Sequence, residues 1–335
     1  MTFYQPPYKI TERILSLVAD ISEAIGKLSA LEELRSLRLR RINQIRTIHG
    51  SLAIEGNTLT EEQITAILEG KPIIAPKREV QEVKNAIEAY ESLEQWTAHK
   101  KGDLLQAHEL LLKGLLSTPG SLRSKGVGVM KGAEVVHMAP PADRVEMLLE
   151  RLLGWLEQTE LHPLVASSIF HYEFEFIHPF EDGNGRMGRL WQTLILSKWN
   201  ALFTQVPVET LVFQHQQDYY EAINQSNISG DCSGFIEFIL NMVLKAIQTA
   251  GTPQVALQVT PQVELEVKEL VFAISGEHSR SELQEILKLS DRKNFTEKYL
   301  KPALDLELIE RTIPDKPNSR LQRYRLTNKG RQLKR

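Results

Sequence analysis

The chain has 335 residues, a formal charge of -3, 42% hydrophobic and 25% charged residues, a balance that excludes fibrous and disordered classes. Its length leaves room for two or three compact units at roughly 100–150 residues each. Cys232 is the only cysteine, which excludes intrachain disulfides and multi-cysteine metal sites and leads us to expect a reducing, cytoplasmic setting. The opening MTFYQPPYKI has no basic n-region before an apolar run, and no stretch approaches the roughly 18 apolar residues of a membrane helix, so no membrane association is expected.

Between Thr11 and about Leu39, the residues Ile14, Leu17, Val18, Ile21, Ile25, Leu28, Leu31 and Leu34 recur at three- and four-residue steps, the spacing of one helical face. Similar spacing predicts helices over 79–96, 103–116, 144–157, 164–177, 187–199, 219–224 and 235–247. The fold class expected is therefore mainly α, with an N-terminal helical region over 1–100 and a helical core over 101–247. One segment departs from this. Val127, Val129, Val135 and Val136 flank Lys131-Gly132 ahead of Pro140-Pro141, a strand–turn–strand pattern that predicts a β-hairpin over 126–141.

Residues 248–262, QTAGTPQVALQVTPQ, lack helical periodicity and hold two prolines and a glycine, so they read as a linker. A separate unit over 263–335 follows. It opens with a helix over 264–275, a second from Ser279 with Glu282 placed for a capping box, and a third over 291–304. Two short strands bracketing 314–319 complete the layout of a winged helix-turn-helix. The last sixteen residues, 320–335, carry seven basic side chains and no acidic one.

The chemistry is concentrated in His178-Pro179-Phe180-Glu181-Asp182-Gly183-Asn184-Gly185-Arg186 and the helix after it. Gly183-Asn184-Gly185 can turn backbone N–H groups toward an anion, and the helix N-terminus behind adds partial positive charge. Arg186 and Arg189 are three apart, so both can serve one polyphosphate from the first turn. Asp182 offers the hard oxygen that Mg²⁺ prefers when it is bound mainly through substrate phosphates. His178 belongs to the one residue type here whose ordinary pKa, about 6.5, suits a base at neutral pH. Phe180 is the apolar member and is expected to pin the loop from inside. Taken singly, each of these has an ordinary structural reading.

Together they match His-x-Phe-x-(Asp/Glu)-Gly-Asn-Gly-Arg-x-x-Arg at every fixed position, and here the chain resembles the Fic family. The resemblance covers roughly 47–244. It implies an all-α core that transfers AMP from ATP, with Mg²⁺, to a Ser, Thr or Tyr hydroxyl of a target protein, releasing pyrophosphate. His178 would then be the base, Asp182 the metal ligand, and Asp182, Gly183, Asn184, Gly185, Arg186, Met187, Gly188 and Arg189 the nucleotide-binding residues. Tyr219, Tyr220 and Asn227 fall where relatives contact the adenosine end. The hairpin matches the family's flap, with Val129, Met130, Lys131 and Gly132 nearest the active site and facing the target.

Ser51-Leu52-Ala53-Ile54-Glu55-Gly56-Asn57 matches the family's inhibitory pattern (Ser/Thr)-x-x-x-Glu-(Gly/Asn), which implies that Ser51 and Glu55 form an inhibitory segment with Glu55 paired to Arg189. The same residues also read as an ordinary helix end, since Gly56-Asn57 is a good C-cap. In the tail, Asp291-Arg292-Lys293-Asn294-Phe295 would open a recognition helix, and Arg320, Arg323 and Arg325 would line a wing that contacts either DNA or protein. Three functions stay open: an autoinhibited adenylyltransferase, whose target could be the chain itself; a transcription regulator with a nucleotide-sensing core; and a variant reaction such as deAMPylation or transfer of another nucleotide. A homodimer through the N-terminal helices is compatible with all three.

Overall fold

The computed structural model describes residues 4–30, 37–126, 128–131, 134–250, 265–287, 289, 291, 294–306, 308–313, 319, 321–327 and 330–331, and for 128–131 and 134–138 the backbone alone. The chain divides into two compact units, Met1–Ala256 and Leu257–Arg335. Both are mainly helical.

In the first unit α1 (Glu12–Ser29) buries Ile14, Leu17, Ile21, Ile25 and Leu28, the face its spacing predicts, and Thr11 caps it by accepting from the Ile14 N–H at 3.1 Å. The single helix expected to run to Leu39 is not what forms: α1 is capped at Ala30, and α2 (Leu37–Ile54) is a second helix. Leu31 and Leu34 lie outside the described residues. The inward face of α2 includes the buried polar residues Asn43, Thr47 and Ser51, so it shows little apolar periodicity in the sequence.

Next come α3 (Glu61–Leu68), α4 (Lys77–Glu91) and α5 (Lys101–Leu111). The short α3 begins with a capping box between Thr60 and Gln63. α5 stops at Leu111 rather than running to 116, with Gly114 at φ 72° just beyond. The hairpin follows as β1 (Gly128–Lys131) and β2 (Glu134–Met138), antiparallel, with an irregularity between Val129 and Met130. Gly132 lies outside the described residues. The remainder is α6 (Ala142–Gln158), α7 (Pro163–Ile177), α8 (Asn184–Trp199), α9 (Val208–Gln214), α10 (Gln216–Ser229) and α11 (Ser233–Ala250). α10 is longer than the 219–224 expected and ends where Gly230 turns left-handed at φ 64°.

α7 holds the unit together. Its Leu164, Val165, Ile169 and Tyr172 join a core with α1 and α11, while Phe170, Phe174 and Ile177 join a second core with α4, α5, α6 and α8. A helix apolar on both sides has no freedom to roll, so the residue at its C-terminus, His178, is fixed in place.

In the second unit, helices Leu265–Ala273 and Arg280–Ile286, a π-helical turn Phe295–Leu300 running into Lys301–Asp305, and the antiparallel pair β3 (Ile309–Arg311) and β4 (Tyr324–Leu326) surround a core of Val267, Leu270, Phe295, Leu300 and Tyr324. The capping box between Ser279 and Glu282 forms as its spacing predicts. Arg292, Lys293 and Arg320, named for a recognition helix and wing, lie outside the described residues. Arg325 instead pairs with Glu310 at 2.7 Å and Glu277 at 3.2 Å, and Arg323 with Glu282 at 3.5 Å. No described helix is long and apolar enough to cross a membrane.

Candidate active site

α7 and α8 are joined by the loop from His178 to Gly183, and the backbone reverses there at two left-handed residues. His178 has φ 50°, where it caps α7 by donating its N–H to Phe174 O at 2.9 Å. Gly183 has φ 82°, and a Cβ on it would lie 2.6 Å from Leu112 Cδ2, so only glycine fits. Between them Phe180 is fully buried, stacked on His108 with ring centroids 3.6 Å apart and planes 6° apart. Burying that ring contributes about 2–3 kcal/mol to holding the loop in place.

Two polar residues lock the turn from within. Asn184 Oδ1 accepts from Phe180 N–H at 2.9 Å while its Nδ2 donates to Phe180 O at 2.9 Å, so this side chain closes the loop on itself. His108 accepts the Gly120 N–H on Nδ1 at 2.8 Å, which leaves Nε2 to donate to Asp182 O at 3.0 Å. That arrangement needs a neutral ring. Burial lowers the His108 pKa to about 4, the Asp182 carbonyl bond opposing and Arg186 adding to the fall. A third clamp is Arg123, whose Nε donates to His178 O at 2.7 Å and whose main-chain N–H donates to Pro179 O at 3.0 Å.

At the start of α8 the charged groups of the motif surround the backbone N–H groups of the first turn. Asp182 is 40% exposed; its Oδ1 accepts from Gly183 N–H at 2.6 Å and from Arg186 at 3.1 Å, and its Oδ2 from Arg78 of α4 at 3.3 Å. Arg186 also faces Glu82 at 3.8 Å. Arg189 is 2% exposed and turns the other way, donating from Nη2 to Glu55 Oε1 at 2.7 Å and to Ser51 O at 2.9 Å, and from Nε to Ser51 Oγ at 3.3 Å. Burial works against this cation, but the Glu55 carboxylate, with Tyr219 and Glu175 adding, outweighs it and raises the arginine's pKa. Gly185 sits under the same pair: a Cβ there would lie 2.3 Å from Glu55 Oε1.

Glu55 reaches Arg189 because α2 ends in a Schellman turn: Asn57 N–H donates to Leu52 O at 3.1 Å, Gly56 N–H to Ala53 O at 3.0 Å, and Gly56 takes φ 89°. The helix-end and the arginine-pairing readings of this segment are thus both realised. Asn57 continues the connection, donating to Glu82 at 2.9 Å.

Met187 is a fully buried core residue, and Gly188 lets α8 approach α7, since a Cβ there would meet His171 at 2.9 Å and Glu175 at 3.0 Å. Burial pushes Glu175 up to about 8, with Arg189 opposing and Glu55 reinforcing. Tyr219 is enclosed in the core with its hydroxyl on His171 Nε2 at 3.0 Å, whereas Tyr220 is 38% exposed and lies beside the end of α2, its hydroxyl 3.5 Å from Ile54 O. Asn227 accepts from the Tyr172 hydroxyl at 2.9 Å. The backbone of Val129, Met130 and Lys131 lies in β1. Arg78, Glu82, His108 and Arg123 were not foreseen in the sequence, because each acts through a partner distant along the chain.

A two-helix corner with a glycine turn, a helix N-terminus and flanking carboxylate, imidazole and guanidinium groups has the chemistry that suits a phosphate. The Fic/DOC family matches residues 98–196, and the C-terminal domain of Filamentation induced by cAMP protein Fic-like matches 265–327. A Fic family protein from Desulfovibrio desulfuricans G20 is 52% identical, with a TM-score of 0.74 over 97% of this chain and 99% of that one. Protein adenylyltransferase Fic of Nematostella vectensis is 32% identical over 213 residues, 60% of this chain and 47% of the relative. Fic-1 (aa134–508) of C. elegans shares the fold at 22% identity, with a TM-score of 0.59 over 74% of this chain and 73% of that one. The chain belongs to the Fic family. It spans about half the length of the curated relatives it matches, 47% and 39% for two of them.

Proposed function

We propose that this chain is a protein adenylyltransferase that moves AMP from ATP to a hydroxyl side chain of a target protein, and that Glu55 holds it off. The N-terminus of α8 carries the reading: its first-turn N–H groups follow an N-cap without a side-chain cap, Asp182, Arg186 and Arg189 stand on the same turn, and His178 stands at the other end of the loop. Relatives named protein adenylyltransferase support the same reaction class.

In this reading His178 takes the proton from the acceptor hydroxyl, whose oxygen attacks the α-phosphorus as the bond to the β-phosphate's bridging oxygen breaks and pyrophosphate leaves. Arg186 and Arg189 hold the outer phosphates, and the first-turn N–H groups face the charge that builds on the α-phosphate oxygens. Asp182 fits a magnesium ion bound chiefly through substrate phosphates: it is one half-exposed carboxylate, and among the described residues no group of three His, Cys, Asp or Glu could cage a metal. Bound there, magnesium would neutralise phosphate charge. Because the Asn184 side chain is committed to Phe180, its part is to shape the loop. Tyr220 is the member of the tyrosine pair available to the nucleoside end.

Inhibition follows from electrostatics. Arg189 serves the outer phosphate poorly while its Nε and Nη2 donors are on Glu55 and Ser51, and the Glu55 carboxylate repels an incoming anion. The C-terminal unit we assign to protein docking, because Glu277, Glu282 and Glu310 offset Arg323 and Arg325 on the ribbon.

The test is incubation of wild type, Glu55→Gly and His178→Ala with α-labelled ATP and Mg²⁺. Label on protein should be strongest with Glu55→Gly and absent from His178→Ala. Equal labelling by Glu55→Gly and wild type would remove the inhibitory assignment. No labelling with any variant would remove the transferase, and loss of label from an already modified protein would point to deAMPylation.

A further inference from the structure

Arg123 lies in the segment between α5 and β1, is 6% exposed, and spends its side-chain donors on main-chain carbonyls. Nε donates to His178 O at 2.7 Å, Nη1 to Lys125 O at 2.8 Å, and Nη2 to Pro140 O at 2.5 Å and Ile177 O at 3.3 Å. Its own N–H donates to Pro179 O at 3.0 Å. These acceptors fall into two groups. Ile177 and His178 supply the last carbonyls of α7, which the helix leaves without internal partners and which carry the negative end of its dipole. Lys125 and Pro140 stand just outside β1 and β2, one at each foot of the hairpin.

One side chain therefore ties both feet of the hairpin to the backbone of the residue that carries the imidazole. His178 is also the only non-glycine residue with positive φ among the described residues, a conformation costing roughly 1–2 kcal/mol that persists only when neighbours enforce it. Hydrogen bonds from a cation to carbonyls are the stronger kind, and a planar guanidinium can reach four carbonyls on three segments where a lysine ammonium offers three donors from one point.

We infer that Arg123 is a positioning residue that sets His178 against the hairpin, so that an acceptor hydroxyl held on the hairpin arrives at the imidazole. It rests on the reaction proposed above for the roles of His178 and the hairpin; the coupling between them rests on the hydrogen bonds alone. Arg123 has no bond to the groups assigned to the nucleotide, so the two halves of the reaction respond differently to its loss.

The experiment uses the full chain carrying Glu55→Gly, alone and combined with Arg123→Lys or Arg123→Gln, the latter keeping two donors without the charge. Transfer of label from α-labelled ATP should fall about a hundredfold in both Arg123 variants, the penalty for misplacing reacting groups by about 1 Å, while ATP affinity stays within about threefold. Amide hydrogen exchange should rise together at 122–126, at Ala139, and at Ile177, His178 and Phe180, with α8 unchanged. Transfer at the parent's rate, or ATP affinity lost in step with transfer, would overturn the inference. So would exchange that rises throughout the chain, or at the hairpin feet without the loop. If the Glu55→Gly parent transfers no label, the proposed reaction falls, and the exchange measurement still decides whether Arg123 couples the two segments.

Discussion

Arg189 donates to Glu55 across 2.7 Å from a position 2% exposed, while its acceptor remains 37% exposed at the end of α2. The asymmetry matters. Arg189 has already lost its water and must have an anion, whereas Glu55 can withdraw into solvent at small cost. In the proposed reaction, a polyphosphate arriving at α8 would compete for a cation whose desolvation is already complete.

Removing Glu55 should therefore destabilise the chain when no nucleotide is present and reverse when it is. Glu55→Gly is expected to lose about 1–2 kcal/mol, less than a wholly buried pair would lose because solvent screens the exposed carboxylate. With Mg²⁺ and ATP at roughly a hundred times the dissociation constant, binding returns about 2.7 kcal/mol. Thermal unfolding should show the variant below wild type without ATP and above it with ATP. A variant that stays below in both conditions argues against Arg189 as the phosphate's partner.

Gly185→Ala separates the pair from the cradle. The new methyl would sit 2.3 Å from Glu55 Oε1 and 3.1 Å from Arg189 Nη1, and the movable tip of Glu55 is the atom that gives way. The variant should fold with a melting temperature within a few degrees of wild type, since α8 is helical at this position. Labelling should nevertheless stay well below that of Glu55→Gly, because the methyl covers the first-turn N–H groups. Labelling as strong as Glu55→Gly would mean that phosphate does not approach Gly185.

Stability should be limited on both sides of neutrality by groups buried without charge. Burial depresses His108 to about 4 and His171 to about 3, so the unfolded chain binds more protons as pH falls below about 6.5. Their contribution is complete above that pH and is lost on acidification toward 4. Glu175, held near 8 by burial, has the opposite sign: the folded chain keeps a proton that the unfolded chain releases above about 4.5, so stability is lost as pH rises toward 8. Urea unfolding across pH 4–8 should show His108→Gln flattening the acid limb and Glu175→Gln the alkaline one. Slopes unchanged from wild type would show that these groups are hydrated in the folded state.

The loop was legible because its chemistry lies in consecutive residues, and Glu55 because its segment is also contiguous. The hairpin could be read from valines around Lys131-Gly132, and α1 from one apolar stripe. What stayed hidden depends on distance or on backbone. Arg78 meets a carboxylate 104 positions away, and Arg123 addresses carbonyls, which every residue possesses and no sequence pattern marks. His108 looks like any helical histidine until Phe180 lies flat against it. Tyr219 was singled out with Tyr220, but on α10 neighbouring residues face different directions, and only the second meets solvent.

The Schellman turn at Gly56 bears on how quickly the Glu55 contact could come and go. Glu55 N–H, Gly56 N–H and Asn57 N–H each donate to the last turn of α2, so Glu55 is carried by a few backbone bonds at a helix terminus. Helix termini fray on their own, at a fraction of the free energy needed to open a core. Swinging this carboxylate aside requires one turn to loosen while α2 and its packing stay where they are, so the release we propose has the inertia of a side chain and a single turn, and no domain has to move.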